Sequence, residues 1–168
     1  MLISNEWLKD YVNVDQSVQA LAERITRTGI EVDDIIDYTK DIKKLVVGHV
    51  LSKTPHPDAD KLNICQVDLG EEEPVQIVCG APNVDEGQHV IVAKVGGRLP
   101  GGIKIKRAKL RGERSEGMIC SLQEIGISSH VTPKNYESGI YVFPEAVKPG
   151  TDALEAIYLN DQVMEFDL

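Results

Sequence analysis

Hydrophobic and polar positions divide the chain into three textures. In the first forty residues the spacing is helical. Ser4 is placed to cap a short helix carrying Trp7, Leu8 and Tyr11. Asp15 is placed to cap a second, in which Val18, Leu21, Ala22 and Ile25 recur at i, i+3, i+4 and i+7, with Gly29 as its stop. Ile30 to Tyr38 then reads as a strand. Two helices and one strand leave an apolar face that they cannot bury alone, so a further segment must complete them.

From residue 41 the period shortens. Leu45 to Leu51 is an apolar run, Val75, Ile77 and Cys79 alternate, and His89 to Ala93 is almost wholly apolar. Gly80-Ala81-Pro82-Asn83, Gly96-Gly97 and Pro100-Gly101-Gly102 punctuate these runs as turns. Several short unequal strands with no long helix predict a small closed β-barrel of the OB type. After Pro149-Gly150 the first texture returns. Asp152 caps a helix with Glu155 three residues on as its capping-box partner. Ala153, Leu154, Ile157 and Tyr158 share one side, and Gln162 to Leu168 reads as a strand. The expected fold class is therefore α+β: an OB-fold barrel over 41–150, inserted into a small discontinuous α/β domain made of 1–40 and 151–168.

Composition sharpens this picture. Two Phe, one Trp and five Tyr in 168 residues leave the core to Val, Ile and Leu, which favours strands. No apolar run reaches the ~18 residues of a membrane helix. The opening residues show no basic region ahead of an apolar stretch, so a cytoplasmic, membrane-free protein is expected. Cys65, Cys79 and Cys120 are odd in number, widely spaced and set in apolar segments, which suits buried thiols better than a disulfide framework, a zinc pair or a nucleophile.

Charge is strongly polarised. The formal net charge is −9. Between Lys94 and Arg114 lie eight cations against the single Glu113, a local +7, which leaves ten cations and 26 carboxylates, or −16, for the rest. Two readings fit the strip: a lysine-rich solvated edge strand, or a surface for nucleic acid. Ile103 and Ile105 alternate with Lys104 and Lys106. The parity then flips, because Arg107, Lys109 and Arg111 alternate with Ala108 and Leu110. A bulge or bend near Lys106–Arg107 would keep all five of these cations on one side.

Other motifs carry less chemistry. His56-Pro57-Asp58-Ala59-Asp60 crowds an imidazole and two carboxylates together, but one tight turn supplies too few ligands for a metal, and Lys61 adjoins them. An Asx-type turn is the simpler reading. The glycines from Gly96 to Gly102 lack the Lys-Ser/Thr ending of a phosphate-binding loop. No catalytic residue and no metal ligand set is assigned.

Four strings, HPDADKL (56–62), VQIVCGAPNV (75–84), VAKVGGRLPGGIKIKRAKLRGERSEGMICS (92–121) and GIYVFP (139–144), resemble the tRNA-binding OB domain of phenylalanyl-tRNA synthetase β subunits. SNEWLKDYV (4–12) and TRTGIEVDDI (26–35) resemble the start of the bacterial form. The resemblance implies an N-terminal portion of a longer subunit, working with an α subunit in an α2β2 ligase. ATP and magnesium would then serve the whole enzyme, with no cofactor held by these residues. It further implies an accessory tRNA-binding module, with a structural scaffold as the alternative. Lys61, Lys104, Lys106, Arg107, Lys109, Arg111 and Arg114 match polar positions about the family's tRNA-facing surface; Ser115, Gly117, Met118 and Ser121 match the signature that follows, and the resemblance assigns Ser115, Met118 and Ser121 to tRNA binding as well. Because 47–134 contains no Phe, Tyr or Trp, recognition is expected to address the shape and phosphates of folded tRNA and not individual bases.

With no acid, base or nucleophile placed beside a partner, the purified chain is expected to show no phenylalanine-dependent pyrophosphate exchange. Exchange above the blank would contradict that reading.

Overall fold

The computed structural model describes residues 1–168. In chain order come β1 (Leu2–Ser4), α1 (Asn5–Lys9), α2 (Val18–Arg27), β2 (Glu31–Asp37), β3 (Lys43–His56), β4 (Ala59–Asp68), β5 (Val75–Cys79) and β6 (His89–Leu99). There follow β7 (Ile103–Lys104), β8 (Ala108–Leu110), β9 (Glu113–Ser115), β10 (Met118–Ile119), a 3-10 turn at Lys134–Tyr136, α3 (Ala153–Ala156) and β11 (Gln162–Asp167). The protein is mostly β with a few short helices. It divides into two compact units, Met1–Lys40 with Tyr158–Leu168, and Asp41–Ile157.

In the smaller unit β11 is the central strand of the antiparallel order β1-β11-β2. Its Met164 and Phe166 are buried against Val18 and Ala22 of α2, the positions that the helical spacing marked. Ser4 caps α1 by accepting the Trp7 N–H (3.0 Å). The cap of α2 is Ser17 and not Asp15: Ser17 Oγ accepts the Ala20 N–H at 3.2 Å. A cap must reach the amide three residues on, and from Asp15 that would start the helix before its apolar stripe begins.

The larger unit is built on a sheet of order β10-β6-β3-β4-β5, with β7 paired to β6. Its core is Val50, Val67, Leu69, Ile77, Val84, Val90, Val92, Ile119 and Ile140, as the composition implied. The four residues Val90 to Ala93 are all buried because both faces of β6 are covered. Phe143 N–H donates to His89 O, and Cys120 N–H to Ile91 O (both 2.8 Å).

Two expectations change here. First, the ladder runs open from β10 to β5 and does not close into a barrel. The edges meet through three bonds: Glu116 N–H to Gln76 O (2.8 Å), Gln76 Nε2 to Arg114 O (2.8 Å) and Val78 N–H to Ser115 Oγ (3.0 Å). Gly117, at φ +143°, turns the chain there, so that Ser115–Glu116 touches β5 while the two-residue β10 joins β6. Second, 151–157 belongs with the larger unit and not with 1–40. Val47 donates to Thr151 O and Gly150 to Val47 O, both at 2.8 Å, which ties this stretch to β3 ahead of α3. Asp152 does cap α3, accepting from Leu154 N–H (2.9 Å).

His49 and His89, cross-strand partners on β3 and β6, stack with centroids 4.4 Å apart and planes 3° from parallel. Burial, and then the neighbouring His49 imidazole, lower the pKa of His89 from 6.5. A lowered imidazole pKa contributes stability that is fully present above pH 6.5 and lost as pH falls through the folded value. Denaturation midpoints should therefore fall between pH 7.5 and 5, and His89→Gln should flatten that dependence; an unchanged slope would deny the pair this role. Gly48 gives a second test. A Cβ there would stand 2.7 Å from both Val67 Cγ1 and Val92 Cγ2. Gly48→Ala should cost about 1–3 kcal/mol in urea unfolding.

Candidate nucleic-acid interface

The cationic strip does not form one continuous bulged strand. Lys104 ends β7, paired with Arg98 of β6. Ile105 to Arg107 then runs outside any strand, anchored where Gly96 N–H donates to Ile105 O (2.9 Å) and Ile105 N–H to Gly97 O (3.0 Å). Ile105 is buried, while Lys104 and Lys106 on either side of it, and Arg107 beyond, are exposed. The parity flip is therefore made by a short irregular connection.

Beyond it, β8 and β9 form a separate two-stranded hairpin. Leu110 pairs with Glu113, which leaves Arg111-Gly112 as a two-residue loop with both φ positive (+49° and +89°). That is the signature of a type I′ turn, whose twist suits a hairpin. Arginine in the left-handed region costs about 1–2 kcal/mol. Arg111 Nη1 donates to Asp58 O at 3.3 Å, which links the tip of the hairpin to the β3–β4 turn.

His56 supplies the firmer link. It is buried, its Nδ1 accepts the Asp58 N–H at 2.9 Å, and its Nε2 lies 2.8 Å from Leu110 O. With Nδ1 accepting, Nε2 carries the proton and donates to that carbonyl. One imidazole thus fixes its own turn and docks the hairpin. The carboxylates of the HPDAD turn and His56 do not converge on a metal position.

Lys61, Lys104, Lys106, Arg107, Lys109, Arg111 and Arg114 are all exposed. Lys109 and Arg114 are cross-strand partners and so share one face of the hairpin. Glu116 is the carboxylate among them, 3.5 Å from Arg107 Nε and 4.0 Å from Arg114 Nε. Lys94 is paired with Glu71. Lys61, Lys104, Lys106, Lys109 and Arg111 have no carboxylate within 4.0 Å.

The signature residues after the strip have other tasks. Ser115 is 4% exposed, with its hydroxyl accepting the Val78 N–H and donating to Gly117 O (3.2 Å). It therefore positions the segment and has no surface to offer a ligand. Ser121 and Glu124 bond each other's amides reciprocally, at 2.7 and 3.2 Å. Met118 is half-buried and, with Ser121, Leu110 and Gly80, lines a groove of about 480 Å³ beside the hairpin.

The unit's aromatic residues lie apart from the strip's sequence and pack on one another. Tyr141 has its centroid 5.0 Å from both Tyr136 and Phe143. The Tyr136 hydroxyl donates to Val142 O (3.0 Å). Burial raises the thiol pKa of Cys65 to about 11 and of Cys120 to about 12, and raises that of Cys79 as well.

ATP and magnesium find no fit among these residues. The Gly96–Gly102 turns lead into the two-residue β7 and not into a helix. Glu31, Asp33 and Asp167, in the smaller unit, do bring carboxylates within 4.8 Å of one another, but all three are exposed, and the sequence pattern alone did not group them. It also missed Lys43 and Lys44, which precede the strip by fifty residues and join it only through strand pairing.

The family model described as "Putative tRNA binding domain" matches residues 45–152. Over all 168 residues the chain is 99% identical to the phenylalanine–tRNA ligase beta subunit of Staphylococcus epidermidis and 83% identical to that of Staphylococcus aureus. It spans 21% of the length of each. Among solved structures, the C-terminal domain of Plasmodium vivax p43 aligns at TM-score 0.45 and 24% identity, covering 68% of this chain and 61% of that one. With a match over that much of its length, the chain belongs to this tRNA binding domain family, in the form found in phenylalanine–tRNA ligase beta subunits.

Proposed function

We propose that the chain is an accessory tRNA-binding module that holds folded tRNA by its phosphates, through Lys61, Lys104, Lys106, Arg107, Lys109, Arg111 and Arg114. The observation that carries this reading is a set of exposed cations, most without a carboxylate partner, on β4, β7, the connection at 105–107 and a hairpin docked by His56, in a chain of a tRNA-binding family. Unpaired surface cations release counterions when phosphates replace them, which is the main source of affinity for a nucleic-acid backbone. The absence of Phe, Tyr and Trp from 47–134 favours shape over sequence.

The wider setting belongs to the same proposal. The larger unit is an OB-type β unit whose open edges are bridged by Arg114, Ser115 and Glu116, inserted into a discontinuous domain. The whole protein is a β subunit of an ATP- and magnesium-dependent α2β2 ligase in the cytoplasm that attaches phenylalanine to its tRNA. A second reading, a scaffold with little direct tRNA contact, is favoured by the −16 carried outside the strip.

Fluorescence anisotropy with labelled tRNA across a salt series separates the two. Seven phosphate contacts would give a log–log slope of about −5 for a single-strand-like backbone. The acidic remainder should make it shallower and the affinity micromolar or weaker. Lys106→Glu with Arg107→Glu should weaken binding, whereas Lys9→Glu with Lys40→Glu should change little. Equal losses from both pairs would favour the scaffold.

A further inference from the structure

Strand pairing assembles a group of cations that the linear sequence keeps apart. Lys43 of β3 stands opposite Arg98 of β6, and Arg98 stands opposite Lys104 of β7. Directly opposed residues of antiparallel strands share a face, so three cations form one row across three strands. With strands about 4.8 Å apart, the row spans about 10 Å. All three residues are exposed and none has a carboxylate within 4.0 Å.

The surrounding backbone is shaped to hold the row. Lys44 takes φ +57°, uncommon for a residue with a side chain, and the register shifts between Lys43 and Leu45. This brings the Lys44 ammonium over Gly96, 3.1 Å from where a Cβ would stand. A Cβ on Gly97 would lie 2.7 Å from Lys43 O, so only glycine lets β6 approach β3 so closely here. Like charges directly opposite one another destabilise a sheet. No carboxylate within 4.0 Å offsets this row, and a bound anion would.

Resting on the tRNA-binding reading, we infer that Lys43, Arg98 and Lys104 form a second phosphodiester contact for the RNA backbone, distinct from the hairpin contact at Lys109, Arg111 and Arg114. Lys109 lies five positions after Lys104, so their Cα atoms are at most about 18 Å apart. A folded RNA held at two such places is constrained in orientation, which a single cationic spot does not achieve.

Opposed effects on stability and binding test the row. Lys104→Glu sets a carboxylate opposite Arg98, so the thermal midpoint of the 168-residue chain should rise while its affinity for tRNA at low salt falls about tenfold. Arg98→Ala and Lys43→Ala should each reduce the log–log salt slope by about one. Lys109→Glu, measured alongside, reports the hairpin contact independently. Loss of affinity from Lys109→Glu with none from the three row variants would overturn the row and leave tRNA binding standing. A fall in thermal midpoint and affinity together in Lys104→Glu would also overturn it, since a structural residue behaves that way. Absence of binding by the unmodified chain at low salt would overturn both readings.

Discussion

The Val78 N–H lies on the outer edge of β5, buried, with no neighbouring strand to accept it. A buried amide without a partner costs about 1–3 kcal/mol, so something must be brought to it. The Ser115 hydroxyl is that partner, and the adjacent Glu116 N–H reaches Gln76 O on the same edge. Much follows from this small debt of hydrogen bonding. The segment after β7 has to cross to β5, turn at Gly117 and return to β6 as β10. The residues between β7 and Ser115 are surplus to that path, and they stand out from it as the β8–β9 hairpin that carries Lys109, Arg111 and Arg114.

A two-stranded hairpin is marginal by itself. It persists here because it is fixed at both ends: Ser115 at its base, and the His56 imidazole against Leu110 O near its tip. The HPDADKL motif thereby gains a physical meaning that its residue types do not suggest. Its histidine is neither a metal ligand nor an acid–base group but a two-ended hydrogen-bonding spacer, and Pro57 and Asp58 shape the turn that presents Nδ1. The hairpin cations Lys109, Arg111 and Arg114 are held by the pairing and turn of β8 and β9, and of these only Arg114 has a carboxylate beside it, Glu116. That leaves their charge available to an external anion, while the excess of carboxylates lies elsewhere in the chain.

What was legible in the sequence was what depends on neighbours along the chain. Ser4 and Asp152 cap the helices assigned to them, the stripe from Val18 to Ile25 faces its core, and the valine-rich runs are the sheet. The cap of α2 was misplaced at Asp15 instead of Ser17, because both residue types favour that position. The Arg111-Gly112 turn was missed because its first residue is not the Asn or Asp that usually marks a type I′ loop. Closure of the sheet was overestimated because its edges meet through a few bonds, two of them made by the Ser115 and Gln76 side chains, that no periodicity encodes. The Lys43–Arg98–Lys104 row was hidden for a related reason: strand register, not sequence distance, makes these residues neighbours. Ser115 was read as a contact residue because its motif adjoins the cations, yet its burial gives it a supporting place.

Amide hydrogen exchange of the chain with and without folded tRNA tests phosphate capture by these strands most directly. Slowed exchange is expected in 104–115 and around Lys43, Lys44 and Arg98, with residues 1–40 and 158–168 unchanged. Protection confined to those terminal segments, or none anywhere under conditions where tRNA is bound, would contradict it.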